Sequence, residues 1–220
     1  PHQRVHWKAF SENKAPSNKS KPPTAVAWHV FDKTATRKIR QASRKDGITI
    51  NTFLLKHLTT AIRPFLENES ATVPWMIPIN LRGKVVGDRD TANYSSYISV
   101  KVRSQETGPM IHRKIHAALE RGEHWGNWYA YEFGRFNTHG IKKFLLAKEL
   151  ATSQWNLGGF SNLGEWDPKK EISQPDCTGD WLFSPPVLRF QKIGAGCVTF
   201  QNRLSVLIQA HPELTADAAD

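Results

Sequence analysis

A chain of 220 residues with 39% hydrophobic and 23% charged side chains is long enough to bury a sizeable core, and it fits one large domain or two small ones. Its apolar runs stop well short of the roughly 18 residues that a membrane-spanning helix needs. The formal charge of +10 would suit nucleic acid, yet Lys and Arg are spread along the chain with no recognised nucleic-acid motif. An anionic substrate or an acidic protein partner accounts for the surplus as well as nucleic acid does; charge alone does not choose among them, and nucleic acid ranks last.

No signal-peptide pattern is present, and Cys177 and Cys197 are the only cysteines. The expectation is a cytoplasmic protein with two reduced thiols and no disulfide. Residues 1–23, rich in Lys, Ser, Asn and Pro, have the composition of an extended linker or docked arm, leaving 24–220 as one domain. In "TAVAWHVF", Val26, Trp28 and Val30 alternate with Ala25, Ala27 and His29, which predicts a strand. "DKTATRKIRQASRKDG" follows as a short basic helix, capped by Asp32 or Thr34 and stopped by Gly47. Its charges read as a solvated face.

Thr49 caps a second predicted helix whose stripe runs Ile50, Leu54, Leu58, Ala61, Phe65, with Pro64 loosening its last turn. "VPWMIPINLRG" puts Val73, Trp75, Ile77, Ile79 and Leu81 on one face of a strand that ends at a permanently charged Arg82. "YSSYISVKVR" is a further strand, near an edge, with Ile98, Val100 and Val102 inward. Helices are predicted over 108–123, through Met110, Ile111, Ile115, Ala118 and Leu119, and over 138–153. The aromatic "WGNWYAYEFGRF" between them fits neither period. Four short runs close the chain as strands, "GGFSNLG", "DWLFSPP", "GAGCVTFQ" and "LSVLIQAHP", the last two joined as a hairpin through Gln201 to Arg203. The fold class is α/β, a two-layer α+β sandwich with helices packed on one face of a mixed sheet.

In this order and spacing, "DGITINTFLLKHLTTAI", "VPWMIPINLRG", "NYSSYISVKV", "FSNLG" and "GAGCVTFQNRLSVLIQAHPEL" resemble the C-terminal lobe of the chloramphenicol acetyltransferase-like superfamily, which includes peptide condensation domains and alcohol acyltransferases. The resemblance implies a V of two similar lobes around a channel. In it the second histidine of His-His-x-x-x-Asp-Gly, on the N-terminal lobe, acts as general base on an acceptor that attacks a thioester. It implies no permanently bound cofactor, acyl-coenzyme A or a carrier-bound acyl thioester as donor, and the N-terminal lobe and an acyl carrier protein as partners. The same fold would also serve a non-catalytic module that binds a carrier protein, coenzyme A or a partner chain.

By the same resemblance Arg82 pairs with the aspartate of the catalytic loop, a role that suits a planar two-pronged donor. Its plainer alternative is a strand-end arginine paired with Asp88 or Asp90. Ser161, Asn162 and Gly164 are expected along the channel, although the glycines of "GGFSNLGEW" also serve tight turns. The sequence departs from the family in one respect: none of its nine histidines belongs to a His-His pair or a His-x-x-x-Asp-Gly. The chain alone then lacks the general base. His211 ends a strand where a catalytic histidine would sit, but Pro212 follows it and the next aspartate, Asp217, is six positions on with no glycine after it. It is the alternative base. His112 and His116 stand one helical turn apart without an evident third ligand, so they read as a solvated face and no metal site is expected.

Overall fold

The computed structural model describes residues 25–85, 94–135, 138–141, 143–144, 147, 157–166, 179–187 and 191–211. Strand β1 (Ala25–Val30) is followed by helices α1 (Lys33–Lys45) and α2 (Ile50–Ile62). Strands β2 (Val73–Asn80) and β3 (Ser95–Val102), helices α3 (Gly108–Glu120) and α4 (Glu123–Arg135), and strands β4 (Gly158–Trp166), β5 (Ile193–Phe200) and β6 (Arg203–Ala210) complete the order. The six strands form one sheet in the order β1-β6-β5-β4-β2-β3. β2 with β4 and β4 with β5 are parallel, and every other pair is antiparallel. It is a mixed sheet with the helices packed on one face, as the sequence predicts. Among the described residues no helix is long and apolar enough to cross a membrane.

The predicted caps form. Asp32 Oδ1 accepts from the Ala35 N–H at 2.7 Å, and Thr49 Oγ1 accepts from the Thr52 N–H at 3.3 Å. α2 ends at Ile62, and Pro64 sits in the single 3₁₀ turn that follows, where its missing N–H costs nothing. The hairpin between β5 and β6 turns through Gln201 and Asn202, with φ of 48° and 63°, the mirror-image turn that matches strand twist.

The buried face of α2 differs from the predicted stripe. Thr52, Leu55, Thr59 and Ile62 face the core, while Ile50, Leu54 and Leu58 are half-buried and Ala61 and Phe65 are exposed. Two threonines face inward because their hydroxyls have partners there: Thr59 donates to Leu55 O at 2.6 Å and accepts the Trp75 indole N–H at 2.9 Å. The core then joins Leu55, Ile62, Val73, Trp75, Ile77, Ile98, Val100, Ile111 and Ile115 beneath α2 and α3. On α3, Met110 points outward and the inward set is Ile111, Ile115 and Ala118.

Two further segments depart from expectation. "WGNWYAYEFGR" lies within α4, which starts afresh after α3 terminates at Gly122 with φ of 70°, and Phe136 lies outside the described residues. His124 is buried on the side facing β3, where the Ser96 hydroxyl donates to His124 O at 2.6 Å. "DWLFSPP" joins no strand; it crosses the sheet face away from the helices. Gly194 and Gly196 of β5 make room for it, since a Cβ there would stand 2.5 Å from Pro185 O and 2.2 Å from Phe183 O. Of the predicted 138–153 helix, residues 139–141, 143, 144 and 147 are helical and the remainder, except Thr138, lies outside the described residues. So do the arm 1–23 and Cys177.

Candidate functional site

β2, β4 and β5 run in the same direction, so their carboxyl ends share one rim of the sheet, the position at which open α/β sheets commonly hold ligands. On that rim β4 carries an extra residue between Asn162 and Glu165 relative to β5. The bulge is shaped locally: Asn162 Oδ1 accepts from the Gly164 N–H at 2.8 Å, and Gly164 takes φ of 82°, which glycine adopts without strain. It turns Asn162, Gly164 and Glu165 toward the C-terminal half of α1 and the first turn of α2.

Between these elements lies a cleft of about 310 Å³ lined by Arg40, Ser43, Arg44, Ile48, Thr49, Ile50, Asn162, Gly164, Glu165 and Thr199. One wall is the N-terminal end of α2, whose leading N–H groups carry partial positive charge. The other walls bring two guanidinium side chains. Arg40 is anchored to Glu165 at 3.0 Å, tying α1 to the β4 bulge, and the Ser43 hydroxyl donates to Arg40 O at 2.9 Å. Arg44 is exposed at the mouth. With Arg40 paired to Glu165, the hydroxyls, an amide and the remaining cation Arg44 around a helix start make this a cleft suited to an anionic oxygen-rich group.

Sequence reasoning finds Asn162 and Gly164 here but misses Arg40, Ser43, Arg44, Thr49 and Thr199. The missing signal is geometric: α1 and α2 are joined by a tight turn through Gly47, φ 65°, which folds the last turn of the basic helix over the start of the next. Ser161 does not line the cleft; its carbonyl is approached by the buried Cys197 thiol at 3.8 Å. Burial pushes that thiol up to about 12, so it is no nucleophile in the folded chain.

Arg82 stands on the same rim, just beyond β2. It is exposed, and its N–H donates to Asn80 Oδ1 at 2.9 Å in the turn that closes at Val85. Asp88 and Asp90 lie outside the described residues. His211 follows β6, which runs against β5, and its N–H donates to Lys192 O at 2.8 Å beside the start of β5. It therefore sits on the opposite rim of the sheet from Arg82, Asn162 and Gly164. Asp217 is outside the described residues.

His112 and His116 are neighbours on α3, with ring centroids 4.3 Å apart. Burial first, and then the charge of His116, hold the His112 imidazole below the usual histidine range.

No protein-family model and no curated protein sequence matches the chain. Solved structures do. A nonribosomal peptide synthetase matches with a TM-score of 0.60 at 12% identity over 98% of this chain and 21% of its own. The epimerization domain from the third module of tyrocidine synthetase B matches with a TM-score of 0.52 at 16% identity over 98% of this chain and 47% of that one. The condensation domain from the Monacolin K polyketide synthase matches with a TM-score of 0.58 at 10% identity, over 97% and 48%. At these identities the likeness is one of fold. This chain spans about half the length of the two isolated domains, and it has the fold of a chloramphenicol acetyltransferase-like lobe of the condensation-domain type.

Proposed function

We propose that the chain is the C-terminal lobe of a thioester-dependent acyltransferase, completing an active site whose general base stands on another lobe. The observation that carries the reading is the rim cleft. In a lobe of condensation-domain fold, two arginines, Ser43, Thr49 and Asn162 surround the start of α2, a setting for the phosphate of coenzyme A or of a carrier's pantetheine arm. A phosphate seated there would leave the pantetheine free to run along the rim toward Arg82. The base on the other lobe takes a proton from the hydroxyl, amine or thiol acceptor, which attacks the thioester carbonyl and expels the thiolate. Arg82 then acts as a positioning residue, pairing with the aspartate of the base-bearing loop.

The test combines the chain with a lobe carrying His-His-x-x-x-Asp-Gly and compares acyl-coenzyme A with a short thioester that lacks phosphate. Arg44→Gln is expected to raise KM for the phosphate-bearing donor roughly 10- to 100-fold, the loss of one charged hydrogen bond, and to leave the short donor unchanged. Equal effects on both donors would contradict the assignment of the cleft. Arg82→Ala is expected to lower kcat for both.

A second reading, a non-catalytic binding module, draws on the lack of any His-His-x-x-x-Asp-Gly in these 220 residues. It keeps the effect of Arg44 on phosphate binding and removes every effect on turnover.

A further inference from the structure

Outside the rim cleft, two side chains able to ligate a metal stand together on the exposed side of α3. His112 and His116 are spaced four residues apart, so they project from the same face of one helix, one turn above the other. Their rings meet edge to face at 4.3 Å between centroids. His116 is exposed and His112 half-buried, so the pair is open to solvent on one side and held on the other.

What holds it is a short chain of hydroxyls from α2. Thr52 Oγ1 lies 3.2 Å from His112 Nδ1, and Thr49 Oγ1 lies 3.1 Å from Thr52 Oγ1. Both threonines have their places fixed by the start of α2, where Thr49 is the cap and Thr52 is fully buried. One nitrogen of His112 is thereby occupied by a neutral partner that fixes ring orientation, which leaves Nε2 for a ligand. A hydrogen-bonded second nitrogen of this kind is what orients histidines that bind metals.

We propose that His112 and His116 form a two-histidine site for a divalent transition-metal ion that prefers imidazole, Zn²⁺, Ni²⁺ or Cu²⁺. Calcium and magnesium are excluded because they take oxygen ligands. Among the described residues no group of three or more His, Cys, Asp or Glu side chains converges, so water completes the coordination. The site is accordingly an open, exchangeable one and not a structural zinc centre. The inference does not depend on acyl transfer, and its two ligands lie outside the rim cleft, which shares with it the cap residue Thr49.

The test is a Zn²⁺ titration of the full chain followed through the ¹⁵N resonances of the histidine rings. The His112 and His116 signals are expected to move together with one saturation curve, His112 at Nε2. In His116→Ala, an exposed change that leaves the core intact, the shift of His112 should need at least about tenfold more Zn²⁺. Thr52→Val, which keeps the shape and removes the hydroxyl, should weaken binding by roughly tenfold, the usual cost of losing an orienting partner. The proposal is overturned if His112 and His116 respond with different curves, if they respond no more tightly than the exposed His29 and His139, or if His116→Ala leaves the His112 curve unchanged.

Discussion

Gly196 shows how single residues decide this fold. Its missing Cβ lets the Phe183 carbonyl lie against β5, and Gly194 does the same beneath Pro185, so a strip of irregular chain seals the outer face of a buried strand. Gly196→Ala is expected to cost about 1–3 kcal/mol in urea denaturation, because backbone and not a flexible side chain would have to move. Thr59→Val should cost a similar amount, about 1–3 kcal/mol, by leaving the buried Trp75 indole N–H without its acceptor. Neither role is legible in the sequence. The strand pattern of "GAGCVTFQ" and the helical period around Thr59 place both residues in their elements without revealing which element approaches each one. Trp75 itself is legible, since period-two alternation alone turns it inward.

At the scale of elements, the α1–α2 unit and the β5–β6 hairpin follow from caps, left-handed turn residues and alternation, all local properties. α4 does not, because two glycines and a dense run of aromatics hide a helical period behind residues that are equally at home in strands. The link between β3 and α3 is electrostatic as well as apolar. Glu106 is nearly buried beside Lys114. Burial acts to raise its pKa, but the Lys114 hydrogen bond, the Arg103 N–H and the charges of Lys114 and Arg103 outweigh it and hold the carboxyl below its usual range. A folded pKa below the unfolded one gives stability that is present above the unfolded value, near 4.3, and lost as pH falls through the folded value. Urea midpoints measured from pH 7 down to pH 3 should therefore fall more steeply for the native chain than for Glu106→Gln. Parallel curves would remove the acid from this role.

For the whole molecule, the sheet with helices on one face and the half-domain length against known condensation and epimerization domains give one architecture. That architecture is legible from the order of motifs, although no single motif carries it. The candidate site is legible in part: Asn162 and Gly164 stand in the cleft and Arg82 on the same rim, whereas the arginines of α1 join them only because a four-residue connection folds one helix end onto the next. His211 is placed on the far rim because β6 returns along β5 while β5, β4 and β2 run parallel; the hairpin is legible in the sequence, the parallel pairing is not. The most direct test of the account is acyl transfer from a thioester donor by the chain alone and after addition of a lobe bearing His-His-x-x-x-Asp-Gly. The expected result is turnover only in the combination, lowered by Arg82→Ala and untouched by His211→Ala. Full activity of the isolated chain, abolished by His211→Ala, would contradict it.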